Sequence, residues 1–124
     1  MPAFTEAKRA YTNLDLPVQT SRQSEYQIFA KITGQLQAAA AMEDFDVQKR
    51  ALVIYENQKL WLALQEDLRH PDNAFPDQLK AGLISLAIFI QTHSSKVLLG
   101  REDIQPLIDV NICMMRGLQR QATG

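Results

Sequence analysis

At 124 residues the chain has the length of one ordinary domain, long enough to bury about two thirds of the surface its unfolded form exposes. Apolar residues make up 46% and charged residues 22%, the mix of a globular protein and not of a disordered tail. Thirteen basic against fourteen acidic side chains leave a net charge of −1, so no global field draws the chain to nucleic acid or to an anionic membrane.

The opening stretch "MPAFTEAKRAYTNLD" is polar and amphipathic and lacks the apolar core of a secretory signal. A short helix is expected near Phe4 to Tyr11, followed by an extended connector, "NLDLPVQTS", because Pro17 disfavours helix at Leu16. Residues 1–19 therefore read as an arm loosely attached to the rest of a single domain spanning residues 1–124.

The first long helix is expected to open at Thr20 or Ser21, whose hydroxyls can accept from orphan amides, and Thr20 with Gln23 has capping-box spacing. Ile28, Phe29, Ile32 and Leu36 form its apolar stripe beside Tyr26, with Arg22, Lys31 and Gln35 toward solvent. It ends in the alanine run 38–41, and the acidic cluster Glu43, Asp44 and Asp46 suits the positive end of the next helix. That helix spans about Phe45 to Arg69. Its heptad row is Val47, Ile54, Trp61 and Leu68, with Leu60 and Leu64 widening the face. Trp61 reads as core, its Nε1 donating to a nearby group, with Asn57 a turn earlier as a polar neighbour.

"HPDN" then predicts a tight reversal with Pro71 at its second position, and Pro76 suits the first turn of a further helix in which Asp77 complements the dipole. "LISLAIFI", Leu83 to Ile90, is apolar almost all round, which predicts a central helix surrounded by the others; Ser85 would return its hydroxyl to a carbonyl one turn earlier. Gly100 suits a carboxy-terminal cap. Asp103 opens a last helix that tolerates Pro106 in its first turn and carries Ile104, Leu107, Ile108, Ile112, Met115 and Leu118, with Val110 and Met114 beside them. The tail "RQATG" is expected to fray. No β-hairpin pattern or internal repeat occurs, so the fold class is all-α: a single-domain antiparallel bundle of four to five helices.

The chemistry-bearing residues are sparse. His70 and His93 lack metal-ligand spacing, and Asp67 three residues before His70 reads as an ion pair or helix-end cap. The glycines are isolated, so no phosphate loop forms, and Ser94, Ser95 and Lys96 make no nucleophile and base. Cys113 has no Cys or His partner in ligand spacing, admits no intramolecular disulfide and reads as an inert core residue of a reducing compartment. Neither an enzyme, a cofactor nor a metal site is indicated. The run Ala81 to Ser95 is too short to span a bilayer, so a cytoplasmic protein is expected. The basic groups Lys8 with Arg9, Lys49 with Arg50, and Arg116 with Arg120 are interrupted by acids, which disfavours direct nucleic-acid binding. A binding module remains, with Met114, Met115 and Leu118 as an adaptable groove lip against their more ordinary reading as core, and Tyr11 as part of a docking arm.

The stretch "ENQKLWLALQEDLRHPDNAFPDQLKAGLISLAIFIQTHSSKVL" resembles the central signature of the FlaF family of flagellar biosynthesis regulators of alphaproteobacteria. The resemblance rests on Asn57, Trp61, Asp67, Asn73 and Pro76 with the leucines between them, and continues through "PLIDVN" and "MRGL". Upstream, "EAKRAYTN" is similar to the family's opening segment and "TSRQSEYQIFAKITGQL" to its first long helix. The resemblance implies a cytoplasmic helical protein without catalysis that binds flagellin before export. It also implies control of flagellin translation, directly on the mRNA or through a partner regulator, FlbT. Asn57, Trp61, Asp67, Asn73 and Pro76 are expected to serve mainly structure.

Overall fold

The computed structural model describes the backbone of residues 18–41 and 46–123, with side chains over 25–41 and 46–118. Four helices follow in order: α1 (Val18–Ala41), α2 (Val47–Arg69), α3 (Asp77–Leu98) and α4 (Gln105–Thr123). No strand occurs among the described residues, and the chain is an all-α bundle. The expected helix over Phe4 to Tyr11 lies outside them.

Each boundary has a local cause. Helix α1 already runs from Val18, so the connector expected through Ser21 stops earlier. A proline restricts the residue before it and leaves those after it free to coil. Asp46 caps α2, its carboxylate accepting from the amides of Gln48 at 2.8 Å and Lys49 at 3.3 Å. At the other end, Asn73 donates its backbone N–H to the His70 carbonyl at 3.0 Å, closing the tight turn through Pro71. Asn73 Oδ1 then accepts the Phe75 amide at 3.0 Å, and Pro76 forms the cap immediately before α3.

Helix α3 ends in a complete Schellman motif. Gly100, at φ 74°, donates to the Val97 carbonyl and Arg101 to that of Lys96, both at 2.9 Å. Asp103 Oδ1 accepts the Gln105 amide at 3.1 Å and opens α4, which stays helical to Thr123 through most of the tail expected to fray.

The bundle is built from two closely packed pairs, α1 with α4 and α2 with α3; α1 also packs on α2, and α4 meets α3 less extensively. The core lies between the pairs, where Phe29 and Leu36 of α1 meet Ile54, Trp61, Leu64 and Leu68 of α2 and Leu107, Ile108 and Leu118 of α4. Helix α3 contributes Ala87, Ile90 and Val97, and its backbone does not approach that of α1 closely among the described residues.

The expected central position of α3 is therefore overturned. Ile88 is 50% exposed and Phe89 40%, because α3 stands diagonally across from α1 and only one face of it meets neighbours. Val47, placed in the buried heptad row, is 78% exposed: it is the first residue of α2, beyond the reach of the core. The hydroxyl bond expected of Ser85 is made instead by Ser95, to the Gln91 carbonyl at 3.2 Å, while Ser85 is exposed.

Candidate functional site

Asn57, Thr33 and Asn111 sit at helical spacing on the buried faces of α2, α1 and α4, so the bundle closes on polar side chains within its apolar core. Trp61 Nε1 donates to Asn111 Oδ1 at 2.9 Å, and the Asn111 amide donates to Thr33 Oγ1 at 3.1 Å and Asn57 Oδ1 at 2.8 Å. The indole packs edge-on against Phe29, with centroids 5.6 Å apart and planes at 79°. One asparagine thus ties three helices together. Buried amides are costly when unpaired, and this arrangement holds α4 in one register against α1 and α2. Asn57 Nδ2 and Ser94 Oγ are buried without a hydrogen-bond partner among the described residues.

His93, near the end of α3, stacks on Phe89 with centroids 5.1 Å apart, and its Nε2 lies 2.8 Å from the Asp103 carbonyl oxygen. A carbonyl only accepts, so that nitrogen carries the proton and pins the α3–α4 connection. His70 Nδ1 accepts the Asp72 amide at 3.1 Å, so the side-chain contact expected with Asp67 is made with Asp72 instead; the His70 N–H meets the Asp67 backbone carbonyl at 3.1 Å. Asp67 itself is buried. Among the described residues no three His, Cys, Asp or Glu side chains gather as a metal ion would need.

Among the described residues an apolar cleft of about 160 Å³ opens beside α3 and α4. Leu79, Leu83 and Leu86 form its α3 wall, and Cys113, Met114, Gly117 and Leu118 its α4 wall. Among the described residues, Leu64, Phe75 and Glu25 of α1 also line it. The cleft exists because α3 and α4 approach each other so little. Met114 and Leu118 of the expected groove lip do meet in it, while Met115 packs half-buried against the core and Tyr11 lies outside the described residues.

Cys113, expected in the core, is exposed: α4 turns it away from the face that buries Asn111 and Leu118. Glu25, Thr33 and Asn111 were missed as interior residues. Their signal was spacing, since Glu25 and Thr33 fall four residues either side of Phe29, and Asn111 four after Leu107 and seven before Leu118. A larger groove of about 450 Å³ lies between Ile28, Lys31, Ile32 and Gln35 of α1 and Leu52, Val53 and Glu56 of α2.

Compared with known proteins, the chain matches the family model described as flagellar protein FlaF over residues 7–118. The chain belongs to the FlaF family. That match takes in every residue of the cleft and of the Asn111 network, and it makes this a flagellar protein. FlaF is not a known enzyme family. No helix among the described residues is long and apolar enough to cross a membrane. Neither the curated proteins nor the solved structures contain a match.

Proposed function

We propose that this FlaF-family chain binds flagellin in the cytoplasm as a non-enzymatic export chaperone and so couples flagellin synthesis to its secretion. The observation that carries the reading is the apolar cleft between α3 and α4, walled by leucines and Met114 on rigid helices. A segment kept unfolded before export is amphipathic and needs its apolar face covered, and a groove between helices accepts such a face as a helix. Methionine at the lip suits a surface that must follow an imperfect shape. Exposed Ile88 and Phe89 leave further apolar surface on α3 for a longer contact.

Control of flagellin translation through FlbT would engage a protein partner, whereas direct action on mRNA requires basic side chains. Lys49 lies in the first turn of α2 and Arg116 toward the end of α4, and a net charge of −1 supplies no basic field to draw in RNA, which favours a protein partner. The test is calorimetric titration of the chain with unassembled flagellin. Saturable binding that changes little with salt supports the chaperone reading. Absence of binding, with FlbT captured instead, overturns it in favour of the regulatory one.

A further inference from the structure

The outward side of a bundle helix ordinarily carries charge, and α1, α2 and α4 comply: Lys31 is exposed on the first, Lys59 and Glu66 on the second, and Asp109 and Arg116 on the last. Helix α3 does not. From Ala81 to Ser95 it holds no charged residue, although its outward side is open to solvent. Ala81, Ser85, Ile88, Thr92, Ser95 and the cap residue Leu99 are all exposed, and they recur at alternating steps of four and three, the seam by which one helix packs along another. Phe89 and Leu98, also exposed, flank that seam. A strip that lacks charge and keeps large apolar side chains in water has the composition of an interface centre.

We propose that this strip packs against the same strip of a second copy of the chain, the two α3 helices running antiparallel about a two-fold axis midway between Ile88 and Thr92. A two-fold contact has to be self-complementary, and the strip is. Matching the seams in that register sets Leu99 over Ala81 of the second copy, Ile88 over Thr92 and Ser85 over Ser95, so that each large side chain meets a smaller one. Phe89 comes beside its own counterpart, and Leu98 beside half-buried Ile84. Charge selects the direction. In the antiparallel arrangement the positive N-terminal end of each α3 lies by the negative C-terminal end of the other, and exposed Asp77 comes level with exposed Arg101 of the second copy at both ends. Neither residue is in an ion pair within the chain among the described residues. A parallel pairing would instead set Asp77 against Asp77 and Lys96 against Lys96.

The strip is about 27 Å long and one helix wide, which places the dimer among the weak complexes that bury less than about 1,200 Å². In it Ile88 and Phe89 are covered, so a flagellin contact extending along α3 has to displace the second copy.

Sedimentation velocity of the full chain, from about 1 μM to about 1 mM, tests the pairing with a readout independent of the flagellin reading. The expected result is a monomer–dimer equilibrium within that range. Ile88→Glu and Ser85→Glu each put a charge into the seam at a position open to solvent in the monomer, so both should melt like the wild type and raise the dimer Kd about tenfold or more. Asp77→Lys and Arg101→Glu should each weaken dimerisation severalfold, and together they should restore it. A chain that stays monomeric throughout overturns the proposal, as does a dimer of wild-type strength in folded Ile88→Glu and Ser85→Glu. Failure of the charge swap to restore pairing overturns the antiparallel register. A monomeric wild type whose flagellin affinity collapses in Ser85→Glu would give the strip to flagellin and overturn the second copy as its occupant.

Discussion

Asn111→Ala is the substitution expected to damage the bundle most for its size. The residue is fully buried and accepts from Trp61 while donating to Thr33 and Asn57. Removing its amide strands the Trp61 N–H and Asn57 Oδ1, while the Thr33 hydroxyl can turn to a carbonyl on its own helix. Each stranded buried group costs about 1–3 kcal/mol, so the two together cost about 2–6 kcal/mol before any loss of packing. That is a large part of the roughly 5–15 kcal/mol that holds a domain folded. Urea denaturation followed by circular dichroism measures it, with the fluorescence of the chain's single tryptophan reporting the local change. In a double-mutant cycle with Asn57→Ala the two losses should fall short of additivity by about 0.5–3 kcal/mol, because the first substitution already breaks the shared bond. A loss under about 1 kcal/mol in Asn111→Ala, with an unchanged denaturant slope, would refute the idea that this amide ties the helices together.

Gly100→Ala should destabilise by about 1–2 kcal/mol, since only there is a left-handed residue required to end α3; thermal melting checks it, and a neutral result would count against the Schellman geometry. Ser94→Ala should be neutral or stabilising, because the hydroxyl is buried without a partner among the described residues, and a loss above about 1 kcal/mol on urea titration would expose a bond not seen here. Asp46→Ala should cost about 1 kcal/mol through the two capping bonds it removes, measured as a lower denaturation midpoint.

The helices and most of their ends were legible in the chain because period, caps and turn residues agree locally: Asp46, Pro71, Gly100 and Asp103 each mark a boundary that the structure realises. Placement between helices was harder to read. An all-round apolar run such as Leu83 to Ile90 says that burial is available on every face but not how many neighbours exist to provide it, and α3 found them on one side only. Met114 and Leu118 read as core or as a groove lip from sequence, and the cleft they line depends on the spread between α3 and α4, a tertiary quantity without local sequence signal. Asn111 illustrates the converse. It lies in register with Leu107 and Leu118, and a polar residue on an apolar stripe is a request for a partner that only the folded bundle identifies as Trp61, Asn57 and Thr33.

The proposed role requires the cleft of this FlaF-family bundle to hold flagellin. The most direct measurement is titration of the purified chain with monomeric, unassembled flagellin by calorimetry at low and high salt, with size-exclusion chromatography of the mixture. A stoichiometric complex whose affinity changes little between the two salt concentrations is the predicted result. A folded chain that leaves flagellin unbound at both would contradict the proposed role.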